Sequence, residues 1–174
     1  MEYRDLTSEY SSLLREKAVA QKKVAGLRYG YISYKTISGK TYPYLQYKEG
    51  GKLISKYIKN SQLHEVMADL GMRTKYLEKI QEADKRLEKI EAAAGILDKK
   101  LLRKLTILRR CAAMDAISVE EKVAALGFSI AMTALEGIPA SEGTEKNLSR
   151  WVEGELRFLD SYLETLRKYK LVEM

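Results

Sequence analysis

The fold is decided by residues 28–59, which read RYGYISYKTISGKTYPYLQYKEGGKLISKYIK. β-branched and aromatic residues dominate segments 31–37, 41–48 and 53–58, and the sequences Ser-Gly-Lys and Glu-Gly-Gly separate these segments. Strand-forming runs joined by short turns that contain glycine are typical of β-hairpins. The stretch therefore predicts a three-stranded antiparallel meander.

Side chains alternate between the two faces of a strand, which gives the predicted sheet two distinct faces. Tyr42 and Tyr44 of the middle segment lie on one face. Leu45 and Tyr47 lie on the other. Pro43 is in the same segment and lacks the N–H group that a central strand uses in its ladder. The sheet stays our prediction, and Pro43 leaves its register open.

Cationic and aromatic side chains are concentrated in the same stretch. Seven basic residues and one acid, Glu49, give residues 28–59 a net charge of +6 in a chain whose total is +7. Seven of the twelve tyrosines also lie here. Because lysine neutralises phosphates and aromatic rings on a sheet stack against bases, we predict a nucleic-acid-binding surface. The predicted contact residues are Arg28, Tyr34, Lys35, Lys40, Tyr42, Tyr44, Lys48, Lys52, Lys56 and Lys59.

The positive charge of this stretch has other interpretations besides nucleic-acid binding. A small sheet keeps its edges charged to prevent aggregation, in which case the lysines need no partner. An acidic protein is another kind of anionic partner. Residues 28–59 also resemble the small three-stranded DNA-binding sheets at the N-termini of some phage integrases, and that resemblance implies DNA as the ligand.

Helices are predicted on both sides of the sheet. Apolar residues recur at intervals of three, four and seven over residues 5–27, which makes one apolar stripe. After the sheet, Asn60 or Ser61 caps a second helix with a similar stripe. We expect it to run to about Ala94, because Gly95 breaks the pattern. Since the two helices flank the hairpins, the simplest geometry is an antiparallel coiled-coil stalk with the sheet at its tip.

A third helix, DKKLLRKLTILRRCAAMDA, begins after Asp98 as its cap. Six basic residues and one acid give residues 97–110 a net charge of +5, so the rest of the chain outside the two basic stretches carries −4. A charge run on a helix is typical of a solvated face, and the alternative is that it extends the nucleic-acid-binding surface. The residues of that extension are Lys99, Lys100, Arg103, Lys104, Arg109 and Arg110.

A fourth helix is predicted from Ser118, which forms a capping box with Glu121. The helix is apolar nearly all round and ends at Gly137, with Pro139 just beyond. Such a helix lies either at the centre of a bundle or in a partner's groove. It permits a homodimer as readily as a complex with another protein.

Residues 129–169, SIAMTALEGIPASEGTEKNLSRWVEGELRFLDSYLETLRKY, resemble the VbhA-type antitoxins of Fic toxins. The resemblance implies that Glu136, followed by Gly137, is an inhibitory glutamate. It would pair with an active-site arginine of the toxin and block productive placement of the ATP γ-phosphate. Met132 stands where the family has serine or threonine. The other shared features are Pro139, Trp151, the Gly154-Glu155 step and a closing helix over residues 156–169.

Several classes of protein are disfavoured by composition. The first ten residues have no apolar signal region, and no segment approaches the roughly 18 apolar residues of a membrane helix, so we expect a cytoplasmic protein with no membrane partner. His64 and Cys111 are the only histidine and cysteine, and they are too far apart in sequence to build a zinc site. The sequence contains no glycine-rich phosphate loop and no catalytic constellation. We therefore expect neither an enzyme nor a cofactor.

These features predict a mainly α-helical protein with a small three-stranded antiparallel sheet. Residues 1–96 form the helical hairpin that encloses the sheet, and residues 97–174 form a C-terminal helical bundle. The predicted function is non-catalytic inhibition of the antitoxin kind, with a sheet that binds DNA or RNA and a protein target such as a Fic-type toxin or a nuclease. The alternative is a nucleic-acid-binding protein of a phage or mobile element, such as an anti-CRISPR inhibitor of a nucleic-acid-guided nuclease.

Overall fold

A computed structural model describes residues 4–137 and 140–168 of the chain. Within these residues the protein has six helices and one three-stranded antiparallel sheet, which confirms the predicted fold class. None of these helices is both long enough and apolar enough to cross a membrane. The elements are α1 (Arg4–Ala25), β1 (Tyr31–Ile37), β2 (Lys40–Glu49), β3 (Lys52–Tyr57), α2 (Asn60–Leu97), α3 (Lys99–Ala116), α4 (Val119–Leu135), α5 (Glu142–Val152) and α6 (Phe158–Lys168).

The chain forms two compact units. Residues 15–88 form one, which contains the sheet and the adjoining parts of α1 and α2. The described residues up to Leu14 and from Lys89 onwards form the other. The predicted division between residues 96 and 97 stays a prediction. Residues 89–96 and the first turns of α1 lie in the unit that holds the C-terminal helices.

Both hairpins are closed by two-residue turns. Each turn is one residue shorter than the predicted Ser-Gly-Lys and Glu-Gly-Gly turns. Ser38 and Gly39 have φ values of 50° and 77°, and Gly50 and Gly51 have φ values of 54° and 78°. Positive φ at both central positions is the backbone of a type I′ turn, whose twist matches that of the strands. Lys40 and Glu49 consequently belong to β2.

Pro43 occupies a position of β2 where its missing donor does no harm. Its carbonyl oxygen accepts a hydrogen bond of 2.9 Å from the backbone N–H of Ile58, which is the residue after β3 ends. The backbone N and O of one strand residue point to the same side, so the nitrogen of Pro43 also faces the end of β3. Its pairing with Tyr34 of β1 therefore needs no N–H from proline.

One face of the sheet packs on the first turns of α2. Leu45 of β2, Ile58 and Val66 of α2 form a buried apolar cluster. The side chains packed around this cluster are Ile32, Tyr47, Leu63 and Leu70. Gly30, just before β1, lies so close to β2 that a Cβ atom would stand 2.2 Å from the carbonyl oxygen of Gln46, so only glycine fits there.

α1 and α2 run antiparallel within residues 15–88. Lys17 of α1 forms a 2.6 Å ion pair with Asp84 of α2. Near the other end of α1, Arg73 donates a 2.7 Å hydrogen bond to the carbonyl oxygen of Val24. Because the partners on α2 have falling numbers as those on α1 rise, the two helices form an antiparallel pair within residues 15–88.

The predicted end of the second helix at Ala94 is wrong. α2 continues through Gly95 to Leu97, and the N–H group of Asp98 donates a 2.9 Å hydrogen bond to the Ala94 carbonyl oxygen. A glycine inside a helix costs roughly 1 kcal/mol, which packing offsets here because Ala94 is fully buried. The junction lies at Asp98, whose side chain accepts a hydrogen bond from the Lys100 N–H and caps α3 as predicted.

The C-terminal helices are organised around Trp151 and Asp115. The Trp151 indole is 1% exposed, and its Nε1 donates a 3.1 Å hydrogen bond to the Asp115 carboxylate. The same carboxylate oxygen accepts from the backbone N–H of Phe158 at 2.8 Å. The Trp151 and Phe158 rings meet edge to face at 5.0 Å. Burial, and then the nearby Asp115, raise the pKa of the Cys111 thiol.

The predicted capping box is present, and α4 is not a central helix. Ser118 and Glu121 exchange both hydrogen bonds of the box. No residue of α4 is buried, and Phe128 and Leu135 are 68% and 82% exposed. α5, which was not predicted as a separate helix, follows α4. The closing helix begins at Phe158, two residues later than predicted, and Tyr169 and Pro139 of the predicted features lie outside the described residues.

Candidate nucleic-acid interface

The register of the sheet separates the predicted contact residues into two faces. Residues paired directly across antiparallel strands share a face, and β2 pairs with both neighbours. Leu45 marks the covered face, because it is buried against α2. We call the other side the open face. Its residues are Tyr31, Ser33, Lys35, Ile37, Lys40, Tyr42, Tyr44, Gln46, Lys48, Leu53, Ser55 and Tyr57.

Three tyrosines form an aromatic cluster on the open face. The ring of Tyr57 lies 5.7 Å from that of Tyr44 and 6.1 Å from that of Tyr42, and both pairs are edge to face. Each such contact is worth about 0.5–1.5 kcal/mol beyond the buried area. Tyr57 was not among the predicted contact residues. Its position opposite Tyr44 becomes evident only once the register between β2 and β3 is known.

Lys35 is held over this cluster. Its Nζ lies 4.4 Å from the centre of the Tyr44 ring and donates a 3.1 Å hydrogen bond to the Ser55 hydroxyl. An ammonium group over an aromatic face is attracted by the negative charge of the ring face. The side chain of Lys35 therefore has a defined position on a surface that is otherwise exposed.

The remaining lysines of the sheet divide between the faces. Lys40 and Lys48 lie on the open face, exposed and without an ion pair to any described residue. Lys52 and Lys56 lie on the covered side, opposite Glu49 and Leu45. The predicted contacts Tyr34 and Lys59 also lie away from the open face, since Tyr34 pairs with Pro43 and Lys59 follows β3. The structure thus brings together Lys35, Lys40, Tyr42, Tyr44 and Lys48 of the predicted set.

Arg28 is engaged within the protein. Its Nη2 lies 2.8 Å from a Glu65 oxygen, and its Nη1 lies 3.1 Å from an Asp69 oxygen. Both acids are on α2, one turn apart. A guanidinium between two carboxylates has its charge compensated, so Arg28 contributes little to an anion-binding surface.

The basic residues of α3 belong to the other compact unit. Arg109 is half-buried and forms a 2.8 Å ion pair with Glu91, so its charge is compensated. Leu101 and Leu105 are the buried side of α3. The exposed cations without an ion pair to another described residue are Lys99, Lys100, Arg103, Lys104 and Arg110.

Glu136 lies at the C-terminal end of α4. It is the C-cap residue, its backbone N–H donates to the Met132 carbonyl oxygen at 3.1 Å, and its side chain is exposed. Its carboxylate has no hydrogen bond or ion pair with another described residue. Gly137 follows with φ of 74°, which ends the helix.

A metal site is not evident in the parts of the chain described above. Among residues 4–137 and 140–168, no three His, Cys, Asp or Glu side chains cluster as ligands would. His64 is an exposed residue of α2.

Comparison with known proteins gives a match to a protein family. The family model of a domain of unknown function, DUF6788, matches residues 3–68. This segment contains α1, the whole sheet and the first turns of α2. No curated protein and no solved structure matches the chain. The matched domain thus contains the whole of the open face, in a segment that is less than half of the chain.

Proposed function

We propose that the protein binds nucleic acid through the open face of its sheet and carries out no reaction. The observation that supports this most directly is the distribution of charge in the sheet. Three lysines and the tyrosine cluster lie on the open face, whereas Glu49, the one acid of residues 28–59, lies on the covered face. An uninterrupted cationic surface attracts a polyanion, and an acid among the lysines would weaken it.

The aromatic cluster favours nucleic acid over an acidic protein. Tyr42, Tyr44 and Tyr57 together present ring edges, ring faces and phenolic hydroxyls beside Lys35. Rings pack on bases and sugars, and hydroxyl groups donate hydrogen bonds to phosphate oxygens. An acidic protein would use the lysines and the hydroxyl groups, and its carboxylates would not stack on the ring faces. The lysines and the tyrosine rings both have a role when the partner has phosphates and bases.

An electrophoretic shift assay tests the proposal. Single- and double-stranded DNA and RNA are each incubated at low salt with the wild type and with a variant in which Lys35, Lys40 and Lys48 are replaced by alanine. The wild type is expected to shift at least one of the four, and the variant to shift it weakly. The matched control replaces Lys22, Lys75 and Lys85, exposed lysines of α1 and α2 in the same unit, and is expected to bind as the wild type does. Equal binding by both triple variants would contradict the proposal.

A second candidate function is inhibition of a Fic-type enzyme. It is supported by the exposed apolar surface of α4, which includes Phe128 and Leu135, and by the exposed carboxylate of Glu136 at the end of that helix. A helix that leaves this surface uncovered and ends in a free carboxylate suits a partner that has an apolar groove beside an arginine. Co-expression with a Fic-type toxin tests it. Glu136→Ala should abolish protection, while Lys52→Ala and Lys56→Ala should leave it intact.

A further inference from the structure

A cleft opens on the covered side of the sheet, within residues 15–88. It has a volume of about 350 Å³ and lies between the end of the β2–β3 hairpin and the first turns of α2. Clefts of this size are large enough for one flat ring system with its substituents. The lining residues that the argument uses are Tyr29, Leu45, Tyr47, Glu49, Lys56 and Gln62.

The floor and one wall of the cleft are apolar and aromatic. Leu45 and Val66 are buried at its floor and belong to the core cluster between the sheet and α2. Tyr29 and Tyr47 meet edge to face, with ring centres 5.2 Å apart and planes at 68°. The Tyr29 ring is further braced by Arg73, whose guanidinium lies 5.7 Å from its centre. The cleft therefore offers a firm surface to a flat ring.

The rim of the cleft is polar. Glu49 supplies carboxylate oxygens, Gln62 supplies an amide that both donates and accepts, and Lys56 supplies an ammonium group. Neither Glu49 nor Lys56 forms an ion pair with any residue that the structure describes. Arg28 also reaches the rim, but Glu65 and Asp69 already hold it. The groups free to bind a ligand are thus one acceptor, one amide and one cation.

We infer that this cleft receives a single unpaired nucleobase of a strand that leaves the open face and passes around the edge of the sheet at β3, an inference that rests on the proposed nucleic-acid binding. A base supplies the flat ring that suits the aromatic wall of the cleft. The edge of the base carries donors and acceptors for Glu49 and Gln62, and the phosphate of the same nucleotide is an anion that Lys56 binds. A base inside a duplex is stacked and paired and cannot enter. The substrate class is therefore single-stranded nucleic acid or a strand with an unpaired position.

The chemistry of the rim also assigns a base preference. A carboxylate accepts hydrogen bonds and donates none, so Glu49 favours a base that presents an exocyclic amino group, as cytosine, adenine and guanine do. Thymine and uracil have no exocyclic amino group, and their one ring donor, N3–H, is flanked by two carbonyl oxygens that the carboxylate repels. Glu49 is in this way a specificity-determining residue, whereas the open face binds the strand irrespective of sequence.

Fluorescence anisotropy with labelled oligo(dC), oligo(dA) and oligo(dT) of equal length tests the inference. The wild type is expected to bind oligo(dC) or oligo(dA) roughly tenfold more tightly than oligo(dT), the discrimination of one good base contact. Glu49→Gln and Gln62→Ala should reduce that ratio towards one, and Gln81→Ala, an exposed glutamine elsewhere on α2, should preserve it. Because all three side chains are exposed, far-UV circular dichroism should show the same folded structure in each variant.

The outcomes separate this inference from the proposed function. If the wild type binds the three oligonucleotides equally, or if Glu49→Gln and Gln62→Ala retain the preference of the wild type, the cleft does not receive a base, although binding by the open face stands. If no oligonucleotide and no duplex binds even at low salt, nucleic-acid binding itself is refuted. A single cytosine within oligo(dT) provides a second readout, since it should strengthen binding by the wild type more than binding by Gln62→Ala.

Discussion

Lys35 and Tyr44 meet across the first two strands, with the lysine Nζ 4.4 Å from the centre of the tyrosine ring. The same nitrogen donates to Ser55 of the third strand, so one cation is fixed by contacts to both other strands of the sheet. A side chain that is already ordered loses less conformational entropy when it binds. This relationship places a preorganised positive charge beside the tyrosine cluster of the open face.

Replacing Lys35 by methionine should weaken nucleic-acid binding with little effect on folding. The substitution keeps most of the apolar stem and removes the charge, so binding should weaken for all sequences alike and the salt slope should fall by about one. The lost contact with Tyr44 should lower the free energy of unfolding by no more than about 1 kcal/mol. Titrations at several salt concentrations and urea denaturation measure the two effects. Lys85→Met on α2 is the control, and an equal loss of affinity in that variant would show that Lys35 has no special part.

Replacing Tyr57 by alanine should lower both stability and affinity. Tyr57 is 46% exposed and makes both ring contacts of the cluster, with Tyr42 and Tyr44. Two edge-to-face contacts correspond to about 1–3 kcal/mol of unfolding free energy, measured by urea denaturation. Tyr31→Ala is the control on the same face, since Tyr31 is exposed and has no ring partner among the described residues. Equal destabilisation of the two variants would contradict the role given to the cluster.

Replacing Arg28 by alanine should leave nucleic-acid binding nearly unchanged. The charge of Arg28 is compensated by Glu65 and Asp69, so this side chain adds little to the attraction for phosphates. Because Arg28 is more than a third exposed, solvent screens these ion pairs, and their loss should cost under about 1 kcal/mol of stability. A steep loss of affinity in the shift assay, comparable with that of Lys35→Met, would restore Arg28 as a contact residue.

The buried Tyr10 should make stability fall at alkaline pH. Its hydroxyl donates to Glu91, which also pairs with Arg109, and burial followed by that hydrogen bond raises the pKa of Tyr10 above its ordinary value near 10. Above that pH the unfolded chain loses the phenolic proton while the folded protein keeps it, so the unfolded state gains stability relative to the folded state. The contribution is therefore complete below about pH 10 and is lost as pH rises.

Urea denaturation between about pH 9 and pH 11 measures this effect. The decrease in unfolding free energy across that range should be smaller for Tyr10→Phe than for the wild type, because phenylalanine has no proton to lose. Other tyrosines and the lysines titrate in both proteins and cancel in the difference. Parallel pH profiles for the two proteins would show that Tyr10 titrates alike in the folded and unfolded states.

Local sequence signals were sufficient to predict the sheet and several helix ends. Gly39, Gly50 and Gly51 suit turns with positive φ, and Asp98 and Ser118 cap helices by hydrogen bonds to residues two or three positions away. Each of these features depends on neighbours along the chain. The composition of residues 28–59 likewise indicated that the cations and tyrosines are concentrated in the sheet.

The parts that were not predictable depend on long-range contacts. A shift of one residue in register moves every side chain of a strand to the opposite face, and the two-residue turns fix the register that assigns Lys35 and Lys56 to different faces. The acids that compensate Arg28 lie 37 and 41 positions away along the chain. Gly95 did not end α2, because packing around Ala94 outweighs the weak preference of glycine against helix.

The salt dependence of single-strand binding tests the central claim most directly. If the open face binds phosphates through Lys35, Lys40 and Lys48, the logarithm of the binding constant should fall steeply with the logarithm of salt concentration between about 50 and 200 mM. The variant with all three lysines replaced by alanine should have a slope smaller by about two, and the Lys22, Lys75 and Lys85 control should keep the wild-type slope. Identical slopes for the wild type and the open-face variant would contradict the account.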